Sequence, residues 1–387
     1  MRQLVRSLLY LAGYLGRKSA LVLLLGLVTL SLLANLQVAG AASAPGQKLA
    51  NNANNGAPNA PAAASKTYLP FIRGFSPPPV IPMLIGVATP GQYFGSQGVV
   101  DSYLKGLDSW TGKGHSIAED FEDINPFPPN QSNHTDSYAA GPLELFWGNG
   151  YTDFLNLGTN TLTSANVADG SADAGITAWA RSIATWIAKG GSRKLYIAPL
   201  QEMNGNWTSY GMDPTNFKRA YLHIQALFAS AGVTRNKVWW VFAPNGWSTA
   251  PYGINDYYPG DANVDVIAFS SYNQSCRAAW MTPQTVFDPY LQEIRAVTAN
   301  KPIFIGQTAS ASAGGDKDQW IRDAYSYLLQ HGIRGVLYFN ADLECDWAVY
   351  TPGTGGRRVP GYKDAVTAPN ATRYIAPATL SGMTLPP

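Results

Sequence analysis

The sequence predicts one α/β domain built as a single (β/α)8 barrel. Three observations carry that expectation. Eight short apolar runs recur between Met83 and Phe339. Patterns with apolar residues three and four apart lie between most of them. No low-complexity break and no internal repeat divides the stretch, so one large domain fits better than two. Strands alternating with helices eight times over such a length is the arithmetic of this barrel.

The strand candidates, in order, are Met83–Val87, His115–Phe121, Leu143–Trp147, Leu195–Leu200, Val238–Phe242, Val264–Phe269, Ile303–Gly306 and Gly335–Phe339. Several are apolar almost throughout, as strands covered on both faces must be. Between them, Ile176, Trp179, Ile183, Trp186 and Ile187 mark one helix. Asp213-Pro214 starts another as cap and first-turn proline, with Phe217, Tyr221, Ile224 and Phe228 as its buried stripe and Gly232 at its end. Lys317–Gln330 carries Trp320, Ala324, Tyr327 and Leu328. The Pro/Asn-rich connection 124–142 shows no helical period.

Ahead of the barrel, Arg2, Arg6, Arg17 and Lys18 precede an apolar run from Ala20 to Leu33, and Ala39-Gly40-Ala41-Ala42 follows. Residues 1–42 read as a secretory signal peptide, with an uncleaved N-terminal membrane anchor as the alternative; Asn35 and Gln37 weaken the spanning reading. An Asn/Ala/Pro-rich linker occupies 43–69, the barrel domain 70–375 and a tail 376–387. The expected location is outside the cell, secreted or anchored with the domain outside.

Only 13% of residues are charged and the formal net charge is +2, whereas aromatics reach 12%. That balance supplies no basic field for nucleic acid. Two cysteines are too few for a disulfide framework or a zinc cluster. No His/Cys/Asp spacing suits a metal and no Gly-rich loop suits a nucleotide, so neither metal nor other cofactor is expected. A neutral, aromatic-rich surface points to neutral ligands, sugars first, and a monomer is expected.

In such a barrel, function gathers where strands end. After the fourth strand comes Gln201-Glu202-Met203-Asn204-Gly205-Asn206-Trp207, and after the fifth Pro244-Asn245-Gly246-Trp247. Ser271-Tyr272-Asn273 follows the sixth, Gln307-Thr308 ends the seventh, and Asn340 follows the eighth with Glu344, Asp346 and Trp347 beyond. Carboxylates and amides bind hydroxyls, while indole faces cover the C–H faces of pyranose rings. Trp179, Trp186, Trp239 and Trp240 are assigned to the core by their periods. Trp207, Trp247, Trp280 and Trp347 lie in loops, where a stacking role is expected. Cys276 and Cys345 follow strands whose loops flank Gln307; in an exported protein they form one disulfide, the alternative being two free thiols.

These motifs, with Tyr257-Tyr258-Pro259-Gly260-Asp261, Lys301-Pro302-Ile303-Phe304-Ile305 and Tyr338-Phe339-Asn340, resemble glycoside hydrolase family 26, the β-mannanase family, from Met83 to Tyr350. The resemblance implies a glycoside hydrolase that cleaves mannan-like β-linked polysaccharide or oligosaccharide. It implies Glu202 as general acid/base, with Gln201, Asn204, Trp207, Asn245, Tyr272, Trp280 and Trp347 holding substrate. Two departures accompany it. Gln201 replaces the usual histidine, and Gln307 stands where the nucleophilic glutamate is expected.

An amide cannot form the glycosyl-enzyme that a retaining glycosidase needs. Four readings therefore stand. Another carboxylate activates water with inversion, drawn from Glu119, Asp120, Glu122, Asp123, Asp342, Glu344 or Asp346. A substrate acetamido group attacks, oriented by Gln307. The chain is a catalytically inactive carbohydrate-binding relative. Or an introduced Glu→Gln change traps substrate.

Overall fold

The computed structural model describes residues 83–89, 96–125, 134–367 and 374–375. The expected signal or anchor, the linker and the tail lie outside the described residues.

Eight parallel strands close on themselves: β1 Met83–Ala88, β2 Ile117–Asp123, β3 Thr152–Gly158, β4 Leu195–Pro199, β5 Val238–Phe242, β6 Val266–Ser270, β7 Ile303–Thr308 and β8 Gly335–Phe339. Each strand pairs with the next, and β1 joins both β2 and β8. The short strand Tyr374–Ile375 adds alongside β1. Helices lie between the strands, so the fold is the (β/α)8, or TIM, barrel.

The third strand is a correction. Leu143–Trp147 folds as part of the helix Pro142–Gly148, with Pro142 in its first turn and Leu143 and Phe146 buried. A five-residue apolar run cannot by itself distinguish helix from strand. The true β3 carries Asp153 and Asn156, both buried, which break its apolar run. The connection 124–142 also holds a helix, His134–Ala140.

The outer helices follow their sequence stripes. Asp173–Ala188 buries Ile176, Trp179, Ile183 and Trp186. Pro214–Ser230 opens on Asp213, whose carboxylate accepts from the Asn216 N–H, and Gly232 takes a φ of 90° beyond its end. Lys317–Gln330 is capped in the same way by Asp316. Truncating a buried indole such as Trp179 to alanine costs about 3–5 kcal/mol.

Strand alternation fills the barrel interior. Toward the amino ends, Phe154, Tyr196 and Trp239 stack with centroid spacings of 5.7 and 4.5 Å, and Phe304 lies 5.8 Å from Tyr196. Toward the carboxyl ends the inward positions turn polar, at Glu119 of β2, Asn156 of β3 and Gln307 of β7. The last depends on a bulge. Phe269 pairs with Ile305, but Ser270 pairs with Gln307, and the step from Ile305 to Thr308 spans only Val336 to Tyr338. One extra residue in β7 reverses its in–out parity, as bulges beside active sites do. Gly306 makes this fit: a Cβ there would lie 2.8 Å from the Ala268 carbonyl oxygen.

Candidate active site

β4 ends in unusual backbone. Leu200 and Glu202 have φ of 53° and 56°, the left-handed region, on either side of Gln201. Non-glycine residues hold such angles at a cost of about 1–3 kcal/mol each, and only where surroundings enforce them. Here the Leu200 N–H donates to the Leu157 carbonyl at 2.9 Å, and the Glu202 N–H donates to the Ala243 carbonyl at 2.7 Å. The neighbouring strands β3 and β5 thus pin the turn that presents Glu202.

Glu202 is 8% exposed. Trp207 Nε1 donates to its Oε2 at 2.8 Å, and Asn245 Nδ2 donates to its Oε1 at 3.0 Å. Asn245 is oriented in turn by the Trp247 N–H, which donates to its Oδ1 at 3.0 Å. The Trp207 and Trp247 rings stack at 5.8 Å with 16° between planes, and Trp247 is 55% exposed. An open indole therefore stacks on the ring that holds the carboxylate. Gly205 leaves room for Trp207, whose ring a Cβ would meet at 2.3 Å.

Asn204, expected among the substrate contacts, is fully buried. Its Nδ2 donates to the Asn245 carbonyl and Ser248 Oγ at 2.7 and 2.8 Å, and its Oδ1 accepts from the Asn245 N–H at 2.8 Å. It has no polar atom free for sugar; it joins the loops after β4 and β5. Trp347 differs in a related way. It is 4% exposed and stacks on Tyr272 at 5.0 Å, so its position in a loop does not make it an open platform. Trp280 is half-buried and lies over Gly315, where a Cβ would strike its ring at 2.4 Å.

Gln307 joins three strands. Its Nε2 donates to Glu119 Oε1 and to Gln201 Oε1, each at 3.0 Å, while Tyr272 OH donates to its Oε1 at 2.6 Å. Both amide hydrogens are used. The orientation follows from this network, with a carboxylate on the nitrogen side and a phenol on the oxygen side.

Glu119 is 1% exposed. Its Oε1 also accepts from Asn156 Nδ2 at 2.8 Å, whereas its Oε2 has no hydrogen-bond partner among the described residues. Burial pushes this carboxyl well above the usual carboxylate range. The Asn156 and Gln307 N–H groups oppose the shift, and the negative charges of Glu202 and Asp153 add to it.

Glu122 aside, the other five acids weighed from sequence are bonded away from Gln307. Glu344 pairs with Arg277 at 3.1 Å, and Asp342 with Arg357 at 2.8 Å. Asp346 accepts from the Ser312 N–H at 3.0 Å, and Asp120, on the outward face of β2, accepts from the Phe121 N–H at 2.8 Å. Asp123 accepts from Asn160. Glu119 is therefore the member of that set bonded directly to Gln307. Sequence alternation puts it on the opposite face from Asp120 but could not say which of the two points inward.

Cys276 and Cys345 form a disulfide with Cα atoms 5.9 Å apart, tying the loop after β6 to the loop after β8. Among the described residues, no group of three His, Cys, Asp or Glu side chains is placed to hold a metal.

Comparison with known proteins bears on this rim. Residues 159–322 match the family model described as glycosyl hydrolase family 26, a span running from the end of β3 into the helix Lys317–Gln330. Endoglucanase H of Acetivibrio thermocellus is 28% identical over 222 residues, covering 53% of this chain. The match spans 23% of that protein's own length. Among solved structures, the Bacillus subtilis mannanase BCman superposes with a TM-score of 0.52 at 18% identity, over 74% of this chain and 85% of its own. The family 26 β-mannanase BoMan26A of Bacteroides ovatus gives 0.56 at 16% identity, over 77% and 91%. At such identities the structures share the fold alone. The sequence match to glycosyl hydrolase family 26 is confined to residues 159–322, less than half of the chain, and the solved structures share its barrel.

Proposed function

We propose that this chain is an exported glycoside hydrolase acting on β-linked, mannan-like polysaccharide. Glu202 serves as general acid/base, and Gln307 takes the place of the nucleophile, so the mechanism is inverting or substrate-assisted. One observation carries the reading. A carboxylate held by Trp207 and Asn245 sits at the barrel mouth, and an exposed indole stacks on Trp207, giving the proton donor and ring platform that glycoside cleavage uses. The mannanases and the endoglucanase among the similar proteins favour a β-linked glucan or mannan.

The amide is built into its surroundings. Glu119 Oε1 faces Gln307 Nε2 at 3.0 Å, so a glutamate at 307 would set carboxylate oxygen against carboxylate oxygen. This supports a native glutamine over an introduced change. The leader pattern of 1–42 and the disulfide suit export to an oxidising compartment.

A second reading, a sugar-binding relative without activity, is favoured by the missing nucleophile. Release of reducing ends from a panel of β-mannans, β-glucans and acetamido-polysaccharides separates the two, with Glu202→Gln as control. The enzyme reading expects ends from wild type and almost none from the variant. Equal oligosaccharide binding by both proteins, with no ends from either, refutes it.

A further inference from the structure

The geometry points to Glu119 as the terminal proton acceptor of an inverting hydrolysis, reached through the side-chain amide of Gln307. This rests on the glycosidase reading above. It identifies the missing base, which neither the resemblance nor the similar proteins supply.

Four features converge on it. Gln307 is delivered into the barrel by an extra residue in β7, at a site where only glycine fits at 306. Its nitrogen donates to a carboxylate rather than to solvent or to a backbone carbonyl. That carboxylate is buried, and among the described residues no cation is paired with it. Tyr272 uses one lone pair of the Gln307 oxygen, which leaves the second for a water.

The step balances as follows. A water held at Gln307 Oε1 attacks the anomeric carbon with a lone pair and passes a proton to Oε1. The amide passes a Nε2 proton to Glu119 Oε1 and becomes an imidic acid. The bond from the anomeric carbon to the leaving oxygen breaks, its electron pair stays on that oxygen, and the Glu202 carboxylic acid protonates it. After product leaves, Glu119 returns its proton to Nε2, Oε1 loses its proton to solvent, and Glu202 takes one up. No other reactant is needed.

The step requires Glu119 ionised and Glu202 protonated. Two groups favour the Glu119 anion, the Asn156 and Gln307 N–H donors on its Oε1, whereas burial and the charges of Glu202 and Asp153 oppose it. With Glu202 protonated, one source of repulsion on the Glu119 anion is removed. Because burial raises Glu119, activity climbs with pH into a range above that of an ordinary carboxylate base.

The decisive variant is Glu119→Gln, which keeps shape and an acceptor oxygen for Gln307 Nε2 but accepts no proton. It is compared with wild type on a β-linked oligosaccharide, following kcat, KM, the pH profile and the anomer first released. Expected are a kcat loss of about 100-fold or more with KM within about twofold, loss of the ascending pH limb, and first release of the α-anomer by wild type.

A Glu119→Gln enzyme within about threefold of wild-type kcat overturns the relay and leaves the glycosidase reading intact. First release of the β-anomer does the same, because retention indicates attack by the substrate's own acetamido group. If Glu119→Gln does not fold, the wild-type anomer and pH limb decide instead. A wild type that binds oligosaccharide yet releases no ends overturns both readings.

Discussion

Gln307 and Glu119 stand on strands separated by β8 and β1, yet Gln307 Nε2 sits 3.0 Å from Glu119 Oε1 inside the barrel. The contact needs two parities to agree. Alternation along β2 turns Glu119 inward beside Ile117, and the bulge at Gly306 turns Gln307 inward two residues after Ile305 rather than one after it. Either strand shifted by one residue would point its side chain at the helices.

Gly306→Ala tests that dependence. The added methyl group meets the Ala268 carbonyl oxygen at 2.8 Å, and backbone cannot yield as a flexible side chain does. The variant should lose about 1–3 kcal/mol of stability, as overpacking in a tight interior does. Activity should fall more than stability, because Gln307 is displaced. Denaturant midpoints and end-release rates on the same preparation check this; an unchanged rate would show that the bulge does not position the amide.

Glu202→Gln removes the proton donor while keeping the contact to Trp207 within reach, since the amide oxygen can still accept from the indole N–H. A general acid contributes about 100- to 10,000-fold. The expected outcome is a fall of that size in kcat with oligosaccharide affinity near wild type, read by end release and calorimetry. A variant of near-normal kcat would remove Glu202 from the proton-donor role.

Trp247→Ala separates platform from chemistry. Trp247 is the more exposed member of the stacked pair, and its backbone N–H, not its ring, orients Asn245. Truncation should raise KM about tenfold, taking a stacked ring as worth about 1 kcal/mol or slightly more, and leave kcat within a few-fold. If kcat falls instead, the ring shapes Glu202 through Trp207.

Much of the architecture was legible because both faces of these strands are covered. Val238–Phe242 is apolar at every position, and all five residues are buried. β3 escaped because Asp153 and Asn156 are buried polar residues, which no hydropathy pattern anticipates. Glu202 could be found from its motif beside Trp207. Glu119 could not be separated from Asp120, since adjacent acids on one strand differ only in the face they take, and closure of the barrel decides that. Asn204 and Trp347 show the converse. A polar or aromatic residue in a rim loop can be wholly absorbed in holding the loops together, and loop position carries no information on burial.

The disulfide should matter for stability more than for chemistry. It closes a loop of 69 residues, for which the chain-entropy relation gives about 4 kcal/mol. Cys345→Ser should lower the denaturant midpoint accordingly, and reductant should have the same effect on wild type and none on the variant. A midpoint that reductant does not move would show that the loops are held without the bond.

Asp153 predicts a pH dependence of the fold. It is buried on the outward face of β3, where Tyr138 OH donates to its Oδ2 at 2.7 Å and its Oδ1 has no partner. Burial pushes its carboxyl up to about 8, with Glu122 adding to the shift and the Tyr138 hydroxyl opposing it. The folded state therefore holds a proton that the unfolded chain releases near pH 4. Stability is full below that point and declines as pH rises to about 8, where the folded carboxyl ionises as well. Asp153→Asn keeps an acceptor for Tyr138 and has no proton to lose. Its melting temperature should match wild type near pH 4 and exceed it by several degrees near pH 8, with a residual slope from Asp120 and Glu119, whose carboxyls burial also raises. Parallel melting curves for the two proteins across that range would show that Asp153 stays ionised in the fold.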